Sequence, residues 1–410
     1  MLKTSLPAGN RGCNIAPALY GVNFVKTHPE LDRYHSPVVI AADLPTIMTG
    51  HAIIMKTTFT PECLPLLIGS LPMTNHQKAL DLVLDYTPEI PLWVQLPSRP
   101  MENMLAQFMP GMPGVQFGKE RLFVDAAAEN FDPELLAFYE DYIGATEGTM
   151  DLDASRFAMS PEEAEGFFIF LERIAALQKM PVAVKGQITG PITLTTGISN
   201  QDKQAIYYDD RLRDAAVKLL ALKARWQVRQ LSQFGCPVIL FLDEPALAGY
   251  GSSEFTSVSR EDVTSILEEV IAGVHAEGGL AGIHVCANTD WSLLLDSSVE
   301  IINFDAYGYF DRFILYAEPI VEFMAAGGII AWGIVPTSDP DDIDAETTDS
   351  LTAQWDEKIG RLVDLGMDRE RIRRQSFITP SCGTGSIDLE HANRVLTLTR
   401  EVSDRLKTTI

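Results

Sequence analysis

Val238-Ile239-Leu240-Phe241-Leu242, closed by Asp243-Glu244-Pro245, is followed by a helical pattern over 260–276 and then by Leu280-Ala281-Gly282-Ile283-His284-Val285-Cys286. The two apolar runs are short and do not alternate with polar residues, which is the pattern of strands buried on both faces. An amphipathic helix between them makes a strand, crossover helix, parallel strand unit. Both runs also end in residues that carry chemistry, acids in one and a metal-binding pair in the other.

Working outward, the same rhythm repeats. The runs are 66–70, 92–96, 182–187, 238–242, 280–284, 301–304, 329–333 and 376–379, eight in all. Helical patterns fill most gaps: 75–84, 161–178, 208–234, 260–276, 313–326, 351–365 and 387–406. Cap signals open several of them, such as Ser160-Pro161 with Glu163 and Ser259 with Asp262. The expectation is an α/β fold, a (β/α)8 TIM barrel over 61–410, with an N-terminal extension over 1–60 packed on it. One gap, 97–181, exceeds a single crossover and holds Arg121-Leu-Phe-Val-Asp125 and a helix over 133–142. This insertion after the second strand is expected above the C-terminal face as a lid or substrate wall. His28, His35 and His51 in the extension lack ligand spacing and read as surface or core histidines. The acidic run 339–349 reads as a solvated loop entering a helix.

With 56 acidic and 32 basic residues, the formal charge of -24 argues against a nucleic-acid or anionic-membrane partner. Five cysteines without repeated spacing do not make a disulfide framework and fit a reducing compartment, the cytoplasm. No stretch reaches the roughly 20 apolar residues of a membrane span.

A barrel places its working groups where strands end. Those positions hold Ser70, Gln95, Gln187, Asp243 with Glu244, His284 with Cys286, Asp305, Pro336-Thr337 and Cys382. His284 and Cys286, two apart on an extended strand, leave the same face, and Cys382 can join them across the barrel mouth. One imidazole and two thiolates suit zinc, with a carboxylate or an exchangeable ligand in fourth place. Coordination deprotonates a thiol whose ordinary pKa is about 8.5, so the open position would hold a substrate sulfur as a nucleophile. The acids Asp243 and Glu244 are fixed at a corner by Pro245. They could grip an ammonium group, serve as acid and base, or cap a helix.

Asp243-Glu-Pro-Ala-Leu247, Ile68-Gly-Ser-Leu-Pro72, Ile188-Thr-Gly-Pro-Ile-Thr193, His284-x-Cys286 and Cys382-Gly383 together resemble the catalytic barrel of cobalamin-independent methionine synthase. That enzyme shares a superfamily with uroporphyrinogen decarboxylase and the zinc-dependent corrinoid methyltransferases, which His284-Val-Cys-Ala-Asn-Thr289 resembles more closely. The resemblance implies zinc on His284, Cys286 and Cys382, with Asp305 as the counterpart of a fourth, glutamate ligand. It also implies a pocket for the amino-acid end of homocysteine at Ile68, Gly69, Ser70 and Asp243, and Gln187 is assigned to the same pocket. Two departures bear on the methyl donor. Gly197 stands where a folate-binding Trp is expected, and the catalytic His expected after the seventh strand is missing from Trp332-Gly-Ile-Val-Pro-Thr-Ser338.

The resulting expectation is a zinc-dependent S-methyltransferase of methionine biosynthesis acting on a small thiol: homocysteine, which Asp243 suits through its ammonium group, with a thiol coenzyme, whose sulfonate Lys185 could meet, or another small thiol as alternatives. Its expected donor is a methylated corrinoid such as methylcobalamin, free or on a corrinoid protein, rather than methyltetrahydrofolate. The competing readings are a decarboxylase of the uroporphyrinogen type, working through Asp243 or Glu244 without metal, and a catalytically silent member that binds a corrinoid protein or a metal.

Overall fold

A computed structural model of the chain describes residues 56–118, 121–252, 255 and 258–408. The extension expected over 1–60, with its three histidines, lies outside the described residues up to position 55. The strands are β1 (Val115–Phe117), β2 (Leu122–Val124), β3 (Val184–Thr189), β4 (Ser199–Asn200), β5 (Val238–Asp243), β6 (Leu280–Val285), β7 (Ile301–Phe304), β8 (Ile329–Val335) and β9 (Ser376–Pro380). Six of them form one all-parallel sheet in the order β3-β5-β6-β7-β8-β9, curled as a half barrel.

The eight regular strands of the expectation are therefore six. The first two predicted runs remain extended but pair only through single bridges, Pro65 with Ile378, Ser70 with Gln95 and Leu92 with Lys185. Hydrogen bonds mark each contact: Leu66 N to Ile378 O at 2.9 Å, Gln95 N to Gly69 O at 3.0 Å and Lys185 N to Pro91 O at 2.9 Å. Proline explains the shortfall. Pro61, Pro65 and Pro72 bracket one run and Pro91 and Pro97 the other, and each denies the ladder an N–H.

Every residue of β3, β5, β7, β8 and β9 is buried, yet an alternation survives inside the apolar runs. Ile239, Phe241, Ile301, Ile329, Ala331 and Phe377 share one apolar cluster on the concave face. Leu240, Leu242, Ile283, Ile302, Phe304 and Trp332 belong to the larger cluster under the helices. Continuing the concave face toward the strand ends, the side chains turn polar: Gln187 and Thr189 on β3, Asp243 on β5, His284 on β6, Asn303 on β7 and Thr379 on β9, all buried. A polar layer thus sits on an apolar floor, and it is held there by strand register rather than by loops.

Helices cover the outer face. His76–Tyr86, Asp210–Ser232, Arg260–His275, Thr348–Asp364 and Leu389–Thr408 fall where the periodicity places them, and Ser259 caps its helix by accepting from Asp262 N. The helix expected over 313–326 begins at Ala317, after a turn at Ile314–Tyr316, and runs to Ala325; a helix that the pattern did not indicate, Ala306–Phe313, precedes it. The helix expected from Pro161 begins later, at Glu165. Within the insertion, β1 and β2 form an antiparallel pair and β2 continues onto β4. Its first part reaches the strand ends: the Thr189 hydroxyl donates to Met104 O, and Gln95 Nε2 donates to Gln107 Oε1 at 2.6 Å. Among the described residues no helix is long and apolar enough to cross a membrane, and no disulfide forms.

Candidate metal centre

His284 and Asp243 are register partners on β6 and β5, and His284 faces Asn303 on β7. Cys286 lies one residue past β6, and Cys382 two residues past β9. The curl of the sheet brings them together, so that one ligand atom from each of His284, Cys286 and Cys382 lies within 4.8 Å of the others. The neighbouring strands β5, β6 and β7 carry Asp243, His284 and Asn303, and the segment after β9 carries Cys382.

Asn303 decides which nitrogen of His284 faces the cluster. Its Nδ2 donates to Ala331 O at 2.8 Å and to Thr379 Oγ1 at 2.9 Å. Ala331 O can only accept, so the amide nitrogen belongs on that side and Oδ1 faces His284 Nδ1. The imidazole must then donate from Nδ1, leaving a lone pair on Nε2. That Nε2 is buried and has no hydrogen-bond partner in the protein. Burial, the largest influence, lowers the His284 pKa, which keeps the ring neutral as a ligand requires. An orphaned, buried imidazole lone pair beside two thiols is the donor set of a soft divalent ion, and zinc fits it. Asn303 was missing from the sequence reading. Period two puts Ile301 and Asn303 on one face of β7, which marks the position but does not give the amide its role.

Asp305 is buried and engaged at a helix end. Its Oδ1 accepts from Gly308 N at 2.7 Å and caps Ala306–Phe313. Burial is the main force that pushes its carboxyl up to about 6. The cluster of mutually close ligand atoms comprises His284, Cys286 and Cys382, and Asp305 stands beside it as a cap.

The two acids at the end of β5, Asp243 within the strand and Glu244 just past it, have different surroundings. Glu244 is fully buried and accepts from Ile192 N at 2.8 Å, Thr193 N at 2.8 Å and Thr193 Oγ1 at 2.6 Å. It therefore caps the helix Pro191–Gly197, and burial still pushes its carboxyl up to about 7. This contact explains two motifs at once. A Cβ at Gly190 would lie 2.2 Å from Glu244 Cδ, so only glycine lets the chain pass. Pro191 starts the helix at a position needing no N–H, and Thr193 supplies the third donor. The cap is the reading of Glu244 that this geometry favours. Asp243 Oδ1 is buried without a partner in the protein. Burial raises its pKa, against the opposing pull of His284 and Lys185.

Ile68, Gly69 and Ser70 end the first extended run, bend at Gly69, and are tied to the site from several sides. Lys185, fully buried on β3 and with its pKa lowered to about 8 by burial, donates from Nζ to Ile68 O. Gln187 Nε2 donates to Trp93 O at 2.9 Å, while its Oε1 is buried without a partner. Its Cδ stands 3.1 Å from where a Cβ on Gly69 would be. Ile68, Gly69 and Ser70 line one small cleft with Pro380, Cys382 and Gly383. Asp243 Oδ1, Gln187 Oε1 and His284 Nε2 are thus three buried acceptors awaiting donors or a cation.

No protein-family model matches this chain, and no curated protein matches it. Among solved structures it is similar to a B12-independent methionine synthase from a Shewanella species, with TM-score 0.41 and 16% identity over 58% of this chain and 67% of that one. It is also similar to a pneumococcal exo-β-D-N-acetylglucosaminidase module (TM-score 0.40, 9% identity, 84% and 85% covered). A third is the β-glycosidase of Thermosphaera aggregans (TM-score 0.30, 12% identity, 80% and 84% covered).

Proposed function

We propose that this chain is a zinc-dependent methyltransferase, built on a (β/α)8 barrel whose first two strands are reduced to bridges, that moves a methyl group onto a small thiol. The observation that carries the reading is the cluster of His284, Cys286 and Cys382, found among the described residues, whose ligand atoms lie within 4.8 Å of one another, with His284 Nε2 buried and without a protein partner. Bound there, zinc would supply a soft Lewis-acid position at which a substrate thiol is held as its thiolate. Asn303 fixes the imidazole, and the unpartnered Asp243 Oδ1 offers an ammonium group its acceptor, which favours an amino-acid thiol such as homocysteine. Methionine would be the product.

In the proposed reaction the thiolate sulfur bonds to the methyl carbon as the donor bond to that carbon breaks, and its electron pair leaves with the donor. The proposed donor is a methylated corrinoid, free or on a partner corrinoid protein. Support comes from Gly197 and from the sequence after β8, which lack the Trp and His of folate-dependent relatives. The test is metal analysis of the purified protein, followed by assay of several thiols against methylcobalamin and methyltetrahydrofolate. One zinc per chain, and methyl transfer lost in Cys382→Ser together with the zinc, are the expected results. A chain with no bound zinc, or a Cys382→Ser variant with full thiol methylation, refutes the mechanism.

A further inference from the structure

Cys382 is the ligand furthest from the others in sequence, and its position depends on a loop rather than a strand. His284 lies within β6 and Cys286 directly after it, so their spacing is set by the sheet. Cys382 is suspended between two anchors. On its N-terminal side, Ser381 N donates to Val335 O at 2.8 Å, and the buried hydroxyls of Ser381 and Thr337 lie 2.9 Å apart. On its C-terminal side, Thr384 N and Thr384 Oγ1 both donate to Ser70 O at 3.1 Å, and Gly385 N donates to Ser70 Oγ at 3.2 Å.

The second anchor is a close fit. A Cβ on Gly383 would stand 2.4 Å from Ser70 Oγ, and one on Gly385 would stand 2.8 Å from Ser70 Cβ, so two glycines let the loop wrap around this one serine. Ser70 is itself fixed to the wall of the sheet. Gln95 N donates to Gly69 O at 3.0 Å, Leu71 N donates to Gln95 O at 3.2 Å, and Lys185 Nζ holds Ile68 O. A rigid bend therefore carries the loop that carries the thiol.

We propose that Ser70 and Thr384 are positioning residues for the metal centre: by clamping the loop 382–385 to the bend 68–70 they hold Cys382 where His284 and Cys286 can share an ion with it. The inference rests on the metal reading above and adds a coupling to it. The bend expected to receive the substrate and the loop holding one ligand are a single hydrogen-bonded unit, so ligand binding at one and metal binding at the other affect each other reciprocally. Groups that orient a metal ligand typically contribute about 10-fold to 100-fold in metal affinity.

The experiment measures zinc affinity by competition with a chromophoric chelator for the wild type and for Ser70→Ala, Thr384→Val and Thr384→Ser. Thermal unfolding of each metal-free protein and the sulfur-to-metal charge-transfer band of each cobalt(II)-loaded protein are recorded alongside. Ser70→Ala and Thr384→Val should each weaken zinc by about 10-fold and lose the share of the band contributed by one thiolate, with the metal-free unfolding temperature little changed. Thr384→Ser, which keeps the donor hydroxyl, should restore affinity to within about twofold of wild type. Wild-type affinity and band in Ser70→Ala and Thr384→Val, or a Thr384→Ser loss as large as that of Thr384→Val, overturn the clamp while leaving the metal reading intact. A wild type that takes up neither zinc nor cobalt overturns both.

Discussion

Replacing Asn303 by alanine removes the group that sets the orientation of His284. The side chain is fully buried and makes three hydrogen bonds, one with His284 Nδ1, one to Ala331 O and one to Thr379 Oγ1. The main loss is at the imidazole, whose N–H is stranded away from water; a stranded buried donor costs about 1–3 kcal/mol. Thr379 can turn its hydroxyl elsewhere, and Ala331 O is already in the ladder, so these add about 1 kcal/mol between them. The sum, about 2–4 kcal/mol, is a large part of a typical stability of about 5–15 kcal/mol but leaves the chain folded. Zinc affinity should fall by about 10-fold to 100-fold, because the ring is then free to rotate or to present the wrong tautomer.

Asn303→Asp separates the two effects. A carboxylate still accepts from Nδ1 and keeps the ring in place, but it faces Ala331 O with an oxygen and loses both donations. Its stability should still fall, now because a buried carboxylate oxygen faces a carbonyl oxygen, while zinc affinity stays near wild type. Denaturant unfolding of the metal-free proteins and chelator competition supply the two readouts. Wild-type zinc affinity in a folded Asn303→Ala variant would refute the role given to this residue, and equal loss of affinity in both variants would refute the tautomer argument.

Two further outcomes follow from the packing and the charges. Gly190→Ala places a Cβ 2.2 Å from Glu244 Cδ, so it should lower stability by about 2 kcal/mol or more, measured by denaturant unfolding, through loss of the cap on Pro191–Gly197. Lys185 has its pKa lowered to about 8, so between pH 8 and its unfolded value of 10.5 the unfolded chain binds more protons than the folded one. Stability attributable to this residue therefore rises with pH across that window. A wild type whose stability does not rise there relative to Lys185→Met contradicts the burial argument.

The strands were legible because parallel strands buried on both faces read as unbroken apolar runs, and β5 to β9 fall within two residues of theirs. The two proline-bracketed runs were read as strands on the same apolar signal, although the prolines announced their weak pairing. Of the candidate site, the convergence of three residues was legible: His284, Cys286 and Cys382 stand together in space, as the spacing of the first two and the strand-end position of the third suggested. Asn303 was not, because a lone amide in Ile301-Ile302-Asn303-Phe304 acquires meaning only when β8 and β9 supply its acceptors. Glu244 was ambiguous for a related reason. Its three donors come from 51 and 52 residues earlier, a contact that no local pattern encodes.

That long reach orders events during folding. Pro191–Gly197 has seven residues, too few to persist alone in water. Its cap arrives only when β5 has docked on β3 and carried Glu244 over Gly190, where Gly190 N donates to Asp243 O at 2.8 Å. A nascent chain that ends before residue 244 should therefore hold this segment unformed. The helix becomes a late reporter of β3–β5 assembly, and amide protection at Ile192 and Thr193 would time that step.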